Sequence, residues 1–494
     1  MDAVMGLLGI LAGLGLLIWL AYRGWSVLLL TPIAAMLAAA FAFEPLLANW
    51  TQTFMAGAAG FIAQFFPIFL LGALFGKLME DSGSVQTVAG FIGDKLGPRR
   101  GILAVVIAGA LVTYGGVSLF VSFFVLVPMA TALFRDAGIP RRLMPAAIAL
   151  GTSTFTMSML PGSPAVQNAI PMPFFGTTPF AAPGLGLIAA VITLLFGLWW
   201  LGRVEAAARR RGEGFEAVVA GGAPAEHAAA QAAEDLVVRE RATVTREFDP
   251  AEVKRGACCT APPGILVAVL PLVVVLAVNL TMTVLVLPNL DLGFLAEERF
   301  GPTTPAAVSG IWSVSVALAA AILVLVALNY RRLADIRASV DAGVNASVLP
   351  IVSVASLVGF GTVIAALPAF QLVSDWVLGI QGGPLVSLAV STNVLAALTG
   401  SASGGLTIAL EALGATYMAL AAELGIDPAL MHRVSVIGAG TLDMLPHNGA
   451  VVTLLAVCGT THRESYRDIV MTSIVGALLA LAAVIVLGTL FGSF

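Results

Sequence analysis

Charge is what this sequence has least of. Only 11% of its 494 residues are Asp, Glu, Lys or Arg, while 59% are apolar and the mean hydropathy is +0.99. A water-soluble fold cannot hide that much apolar surface, so the chain belongs to the membrane class before any motif is read. Cysteine is almost missing. Cys258, Cys259 and Cys458 offer neither a disulfide framework nor the spacing of metal ligands. No nucleotide or nucleic-acid motif stands out, and DKLGPRRG is not a phosphate loop. The N-terminus, MDAVMGLLGILAG, has an acid and no basic n-region, which predicts a retained span rather than a cleaved signal. The net charge of −4 decides little, because the placement of charges matters more than their sum.

Long apolar runs are what is present. A helix needs about 20 apolar residues to cross a bilayer. Runs of that kind are 4–20, 27–43, 54–76, 184–202, 264–287, 306–330, 344–367 and 469–490. Two further spans, 143–175 and 433–459, are interrupted by Pro and Gly. Two stretches, 101–134 and 384–421, are longer than one span, shorter than two with a loop, and broken centrally. Residues 203–260 are rich in Ala, Glu and Arg and read as a cytoplasmic linker whose helix-prone start continues the preceding span.

The basic residues decide how the awkward stretches are threaded. Arg99 and Arg100 precede 101–134, and Arg135, Arg141 and Arg142 follow it. A single crossing would put one cluster outside, against the positive-inside bias. Treating 101–134 and 384–421 as re-entrant hairpins leaves 22 of the 24 basic residues inside, with only Arg299 and Arg433 outside. The expected fold is an all-α polytopic membrane protein of about ten transmembrane helices plus two re-entrant hairpins, with both chain ends outside.

The two halves echo each other. LDMLPHNGAVV at 442–452 aligns with MSMLPGSPAVQ at 157–167, an offset of 285, with five of eleven positions identical. The same offset carries Gly115 onto Gly400 and Ser118 onto Ser403. The threading gives the copies opposite orientation. This predicts an inverted-topology repeat: 1–202 as the first copy, 203–260 as the linker and 261–494 as the second. Irregular backbone in a membrane is tolerated only where it is buried or lines a cavity. Four matched breaks therefore predict a central polar site where half-helix N-termini meet an anion.

No Arg or Lys is expected near the middle of a span, so backbone N–H groups and small polar side chains must hold the anion. The candidates are Gly115, Gly116, Ser118, Gly162 and Ser163 in the first half. In the second they are Gly400, Ser401, Ser403, His447, Asn448 and Gly449. Gly116 and Gly449 are expected where only glycine fits the backbone cheaply. Thr152, Ser153, Thr154, Thr156 and Ser158 precede the first break; each can line the path or bond a carbonyl four residues earlier in its own helix. Asp443, His447 and Glu411 are the ionisable groups placed to carry a proton. Asp443 can equally cap the broken helix, and His447 can be a neutral hydrogen-bonding group. Lys77, Glu80 and Asp81 read as interfacial. Sodium is the alternative coupling ion, since unwound carbonyls bind it without an acid.

The segments TYGGVSLFVSFFVLVPMA, MLPGSPAVQNAIPMPFFG and GTLDMLPHNGAVVTLL resemble the gluconate permease (GntP-type) family, a branch of the ion transporter superfamily. The resemblance covers nearly the whole chain. It implies uptake of a small hydroxy-carboxylate such as gluconate, glycerate or 3-hydroxybutyrate across a bacterial-type cytoplasmic membrane, usually with protons and often as a homodimer. It implies no cofactor beyond the coupling ion and no nucleic acid. Gluconate-type members carry an acid near the first hairpin tip and a His-containing first break. Here those places read YGGVS and LPGSP, which is closer to the 3-hydroxybutyrate-type members. Two other classes compete. An intramembrane serine hydrolase would use GSASGG with His447 as base, but Ser401 stands where GxSxG needs glycine. A passive channel would leave the matched gates without a role.

Overall fold

Backbone polar groups in lipid must pair within their own segment, and helices do this alone. Every regular element of the computed structural model is accordingly a helix; the described residues are 2–22, 25–215, 261–301, 303–446 and 448–494. In the first half these are α1 (Asp2–Tyr22), α2 (Val27–Phe41), α3 (Leu46–Asp81), α4 (Ser84–Leu96), α5 (Gly101–Tyr114), α6 (Leu119–Ala137), α7 (Met144–Thr152), α8 (Phe155–Ser158), α9 (Val166–Ala169), α10 (Pro171–Phe175) and α11 (Pro183–Arg210). The second half has α12 (Ile265–Asn289), α13 (Pro305–Asn329), α14 (Ile336–Ala366), α15 (Phe370–Leu378), α16 (Pro384–Thr399), α17 (Ala402–Leu424), α18 (Pro428–Thr441), α19 (Gly449–Val457) and α20 (His462–Phe491). Most of the linker, 216–260, lies outside the described residues, as does His447.

Eight described helices are long and apolar enough to cross a membrane singly: α3, α6, α11, α12, α13, α14, α17 and α20. The spans at 143–175 and 433–459 are cut into short helices, α1 is 21 residues long and α2 is 15. The returning arms of both hairpins, α6 and α17, are long enough to cross alone, so the hairpins have one short and one long arm. The short helices α4 and α15 were not foreseen. α4 meets the segment Pro98–Tyr114 at a bend of 102°.

Helix boundaries recur between the halves. α5 ends at Tyr114 and α16 at Thr399, 285 residues later, and α6 and α17 then start within a few residues of their tips. The matched pair α3 and α14 lie against each other and run antiparallel. Gly57 meets Thr362 near one end, and Gly343 meets Leu74 and Lys77 near the other. Glycine makes this approach possible: a Cβ on Gly343 would stand 2.9 Å from the Leu74 Cα. Within the second hairpin Gly405 lies so near Ala396 that a Cβ would come within 2.2 Å of its backbone nitrogen. Small residues therefore fold the arms onto each other and bring the tips inward.

Candidate functional site

The first hairpin turns at Tyr114–Gly115–Gly116. Gly115 keeps an ordinary helical backbone, with φ −71°, and its α-carbon faces Leu272 of α12. Gly116 takes the left-handed region at φ +101°. The chain then enters α6 through Ser118. The Tyr114 hydroxyl donates to the Pro161 carbonyl at 2.7 Å, which ties this tip to the first broken span.

Behind the tip is a cavity of about 180 Å³. Residues 116–120 supply one wall and 164–167, with Thr152 and Met157, another. Ile68, Phe69, Gly72 and Ala73 of α3 face Ala346, Ser347, Pro350 and Val354 of α14 across it. Ser403, at the tip of the second hairpin, completes the lining. Of the first-half candidates the structure thus brings Gly116 and Ser118 to the cavity, together with Ser403 from the second half. The N-terminal end of α6 opens onto this space, and first-turn N–H groups have no partner within their own helix. The positive end of the helix dipole points the same way.

Gly162 and Ser163 do something else. Gly162 sits at φ +77°, and a Cβ there would come within 2.5 Å of the Phe180 ring. The Ser163 hydroxyl donates to Thr156 O at 3.0 Å, and Asn168 Nδ2 donates to both Ser163 O and Pro179 O at 3.0 Å. These residues shape the turn that presents 164–167. Thr152, Thr154, Thr156 and Ser158 each donate to the carbonyl four residues earlier, and Ser153 pairs with Thr152. Only Thr152 of that group reaches the cavity.

The second half repeats the tie with different chemistry. Asn448 caps α19 through Oδ1, which accepts from Ala450 N at 2.7 Å. That fixes the amide, so Nδ2 donates to Gly400 O at 2.8 Å and to Asp443 Oδ1 at 2.7 Å. The first-half counterpart of Asn448 is Ser163, which takes the Ala165 N–H in the same way at 3.4 Å. Gly400 caps α16 at φ +64°. Ser401 caps α17 by accepting from Gly404 N and lies 3.2 Å from the Ser403 hydroxyl. Gly449 is simply the first residue of α19 and is not among the positive-φ glycines, so the expectation of a glycine-only backbone fails there. Asp443 is 4% exposed. Glu411 is exposed on α17 and is no part of the cavity lining, and the His447 assignment falls outside the described residues.

Charge counting missed two features. Arg433, expected outside, is 0% exposed in α18. Its guanidinium donates to Ala181 O at 2.7 and 3.1 Å, and to Ser158 O and Asn168 Oδ1 at 3.4 Å. His432 beside it contacts Thr177 Oγ1 at 2.6 Å through Nδ1 and Asn168 Oδ1 at 3.3 Å through Nε2. Second, Lys77 and Asp81, read as interfacial, are both 2% exposed and pair at 3.0 Å, with Glu80 at 3.4 Å. A motif-level signal existed for Arg433: MHR opens an otherwise apolar run, and its first-half counterpart is Ile148.

At the face carrying the basic loops, Arg141 Nε donates to Cys458 O at 2.8 Å, and Arg142 bridges Glu213 at 2.6 Å and Asp468 at 3.0 Å. The start of the first broken span and the end of the second therefore share one face. The hydrogen bond from Arg142 holds the Glu213 carboxyl below its ordinary range. The opposite face carries the C-terminus, where Gly184 N donates to Phe494 O at 2.8 Å.

Known proteins resemble this chain. A family model described as GntP family permease matches residues 5–203. The uncharacterized transporter YxjC of Bacillus subtilis is 40% identical over 99% of this chain and 100% of its own length. The chain belongs to the GntP permease family. Two further relatives match over shorter stretches. The gluconate permease of Bacillus subtilis is 33% identical over 28% of this chain and 29% of its own length. The high-affinity gluconate transporter of Escherichia coli is 29% identical over 34% and 37%. Among solved structures, the YdaH transporter of Alcanivorax borkumensis superposes with a TM-score of 0.53 at 16% identity, covering 91% of each chain. MtrF of Neisseria gonorrhoeae gives 0.53 at 15% identity, covering 90% of this chain and 85% of its own. At that identity the likeness is one of fold. This GntP permease is a transporter and not an enzyme, and a multi-pass protein of the bacterial cytoplasmic membrane.

Proposed function

We propose that this permease imports a small hydroxy-monocarboxylate, of the gluconate, glycerate or 3-hydroxybutyrate type, together with a proton. The observation that carries the reading is the cavity shared by two hairpin tips and one broken span, onto which the N-terminus of α6 opens. Its lining contains no Lys or Arg, so helix ends and hydroxyls supply the recognition. Its size suits a small acid, and its many apolar walls favour a short, partly apolar one. The antiparallel packing of the matched helices α3 and α14 supports an inverted repeat, the geometry in which one half can rock against the other around a fixed site.

A monovalent acid entering against an inside-negative potential costs about 2.3 kcal/mol per 100 mV, and one accompanying proton cancels that term. Asp443 is the proton carrier in this reading. As a carboxylate it accepts from Asn448, whose other amide hydrogen holds Gly400 at the second hairpin tip. A proton on Asp443 weakens that acceptor and loosens the tie, which couples proton loading to movement of the hairpin. The test is uptake by proteoliposomes of labelled gluconate, glycerate and 3-hydroxybutyrate under imposed pH or sodium gradients. Accumulation of at least one acid on an inward proton gradient is expected. Accumulation that follows sodium and ignores pH would overturn the proton assignment, and uptake of none of the three would overturn the substrate class.

A further inference from the structure

Arg433 is the largest fully buried side chain among the described residues, and none of the ion pairs among those residues includes it. All its partners are neutral: the Ala181 and Ser158 carbonyls and Asn168 Oδ1. Its neighbour His432 offers it no negative charge either. Asn168 spends Nδ2 on the Ser163 and Pro179 carbonyls, so its Oδ1 must accept. His432 Nε2 then carries the hydrogen that reaches Oδ1, and Nδ1 shares a hydrogen bond with the Thr177 hydroxyl. A buried cation without a carboxylate is costly to hold.

The place of the charge bears on what it can do. Ser158 ends α8, and its carbonyl is freed by the break; Asn168 holds the far side of the same break. Their chain neighbours Met157 and Gln167 line the cavity. Arg433 thus stands directly behind the broken span, gripping both of its edges from the other half of the molecule. We propose that Arg433 is a positioning residue and the fixed counter-charge for the substrate's carboxylate, acting through the broken span without touching the anion. The proposal rests on the organic-anion reading above. It explains why a cavity with no basic side chain in its lining can select an anion: the missing positive charge is one layer back, and the loaded carboxylate neutralises it.

The test is proteoliposome uptake of whichever probe, gluconate, glycerate or 3-hydroxybutyrate, the wild-type protein imports, with competition by the acid and by its uncharged primary amide. Arg433→Met should raise the KM for the acid at least tenfold and reduce the preference for acid over amide. Arg433→Lys, which keeps the charge and loses the fork, should recover a substantial part of both. Asn168→Asp gives the guanidinium a carboxylate of its own; losing the Nδ2 bonds to Ser163 and Pro179 affects acid and amide alike, so the readout is the ratio, and the KM for the acid should rise at least fivefold more than the inhibition constant of the amide. A purely structural arginine predicts equal damage from Lys and Met and no acid-specific effect of the aspartate. If Arg433→Met does not fold, the Asn168→Asp comparison decides alone. Unchanged acid preference in that variant overturns the inference. Wild-type protein that imports none of the three acids removes the substrate reading itself, and the inference falls with it.

Discussion

Replacing Gly116 tests whether the first hairpin tip is a wall of the substrate site. Its backbone at φ +101° lies where a residue with a side chain is strained by about 1–3 kcal/mol. An added Cβ would stand 3.2 Å from Pro164 Cγ, 3.6 Å from Phe75 and 3.7 Å from Leu318, so one methyl just fits. Gly116→Ala therefore carries mainly the backbone strain. Gly116→Val adds two more methyl groups against the proline ring, with overpacking of about 1–3 kcal/mol, for a total of about 2–6 kcal/mol. Both strain and bulk fall on the cavity wall. Gly115 is the control. Its φ of −71° suits any residue, and its Cβ would press on the end of Leu272, away from the cavity. Uptake kinetics in proteoliposomes and melting in detergent separate the outcomes. Gly116→Val should abolish uptake, Gly116→Ala should raise KM, and Gly115→Ala should lower melting with KM unchanged. Normal uptake by Gly116→Val would refute the placement of this tip in the site.

Three further outcomes are expected. Asp443→Asn should lose accumulation driven by a pH gradient yet retain exchange of substrate for substrate, which needs no net proton movement; retained accumulation would move the proton site elsewhere. Lys77→Met leaves Asp81 buried without its cation and should destabilise by about 3–5 kcal/mol, whereas the double change Lys77→Met with Asp81→Leu should recover most of that on thermal melting. The Glu213 carboxyl is held below its ordinary range by Arg142, so its contribution to stability is present above the unfolded pKa and is lost as pH falls through the lower folded value. Melting followed from pH 7 downward should show that acid-side loss in the wild type and less of it in Glu213→Gln.

The helices and breaks were legible because each leaves a mark in composition. Gly115 and Gly400 interrupt apolar runs, and the offset that pairs them also pairs the ends of α5 and α16. The inner walls were not legible. Ile68, Ala73, Ala346 and Val354 look like any lipid-facing residues, and only the antiparallel packing of α3 on α14 turns them toward a cavity. Gly162 and Ser163 carry the same signal as lining residues, yet Phe180 and Asn168 hold them as the scaffold of a turn. Arg433 was misplaced because charge counting assumes that a basic residue near the end of a span meets water. Here Ala181 and Ser158, from the other half, supply the acceptors that let it stay inside. The short helices α4 and α15 do not stand out as apolar runs because they are amphipathic, and their polar face lowers the mean hydropathy of each segment.

In the proposed mechanism the two hairpin tips, from opposite halves, meet at a single site for the transported acid. The direct measurement uses a variant free of the three native cysteines, with Ser118→Cys or Ser403→Cys introduced singly, and follows the rate of thiol modification in membranes. Saturating transported acid should slow modification at both positions at least fivefold, while its uncharged amide at the same concentration should not. Transport with unchanged modification rates at both tips would contradict the claim.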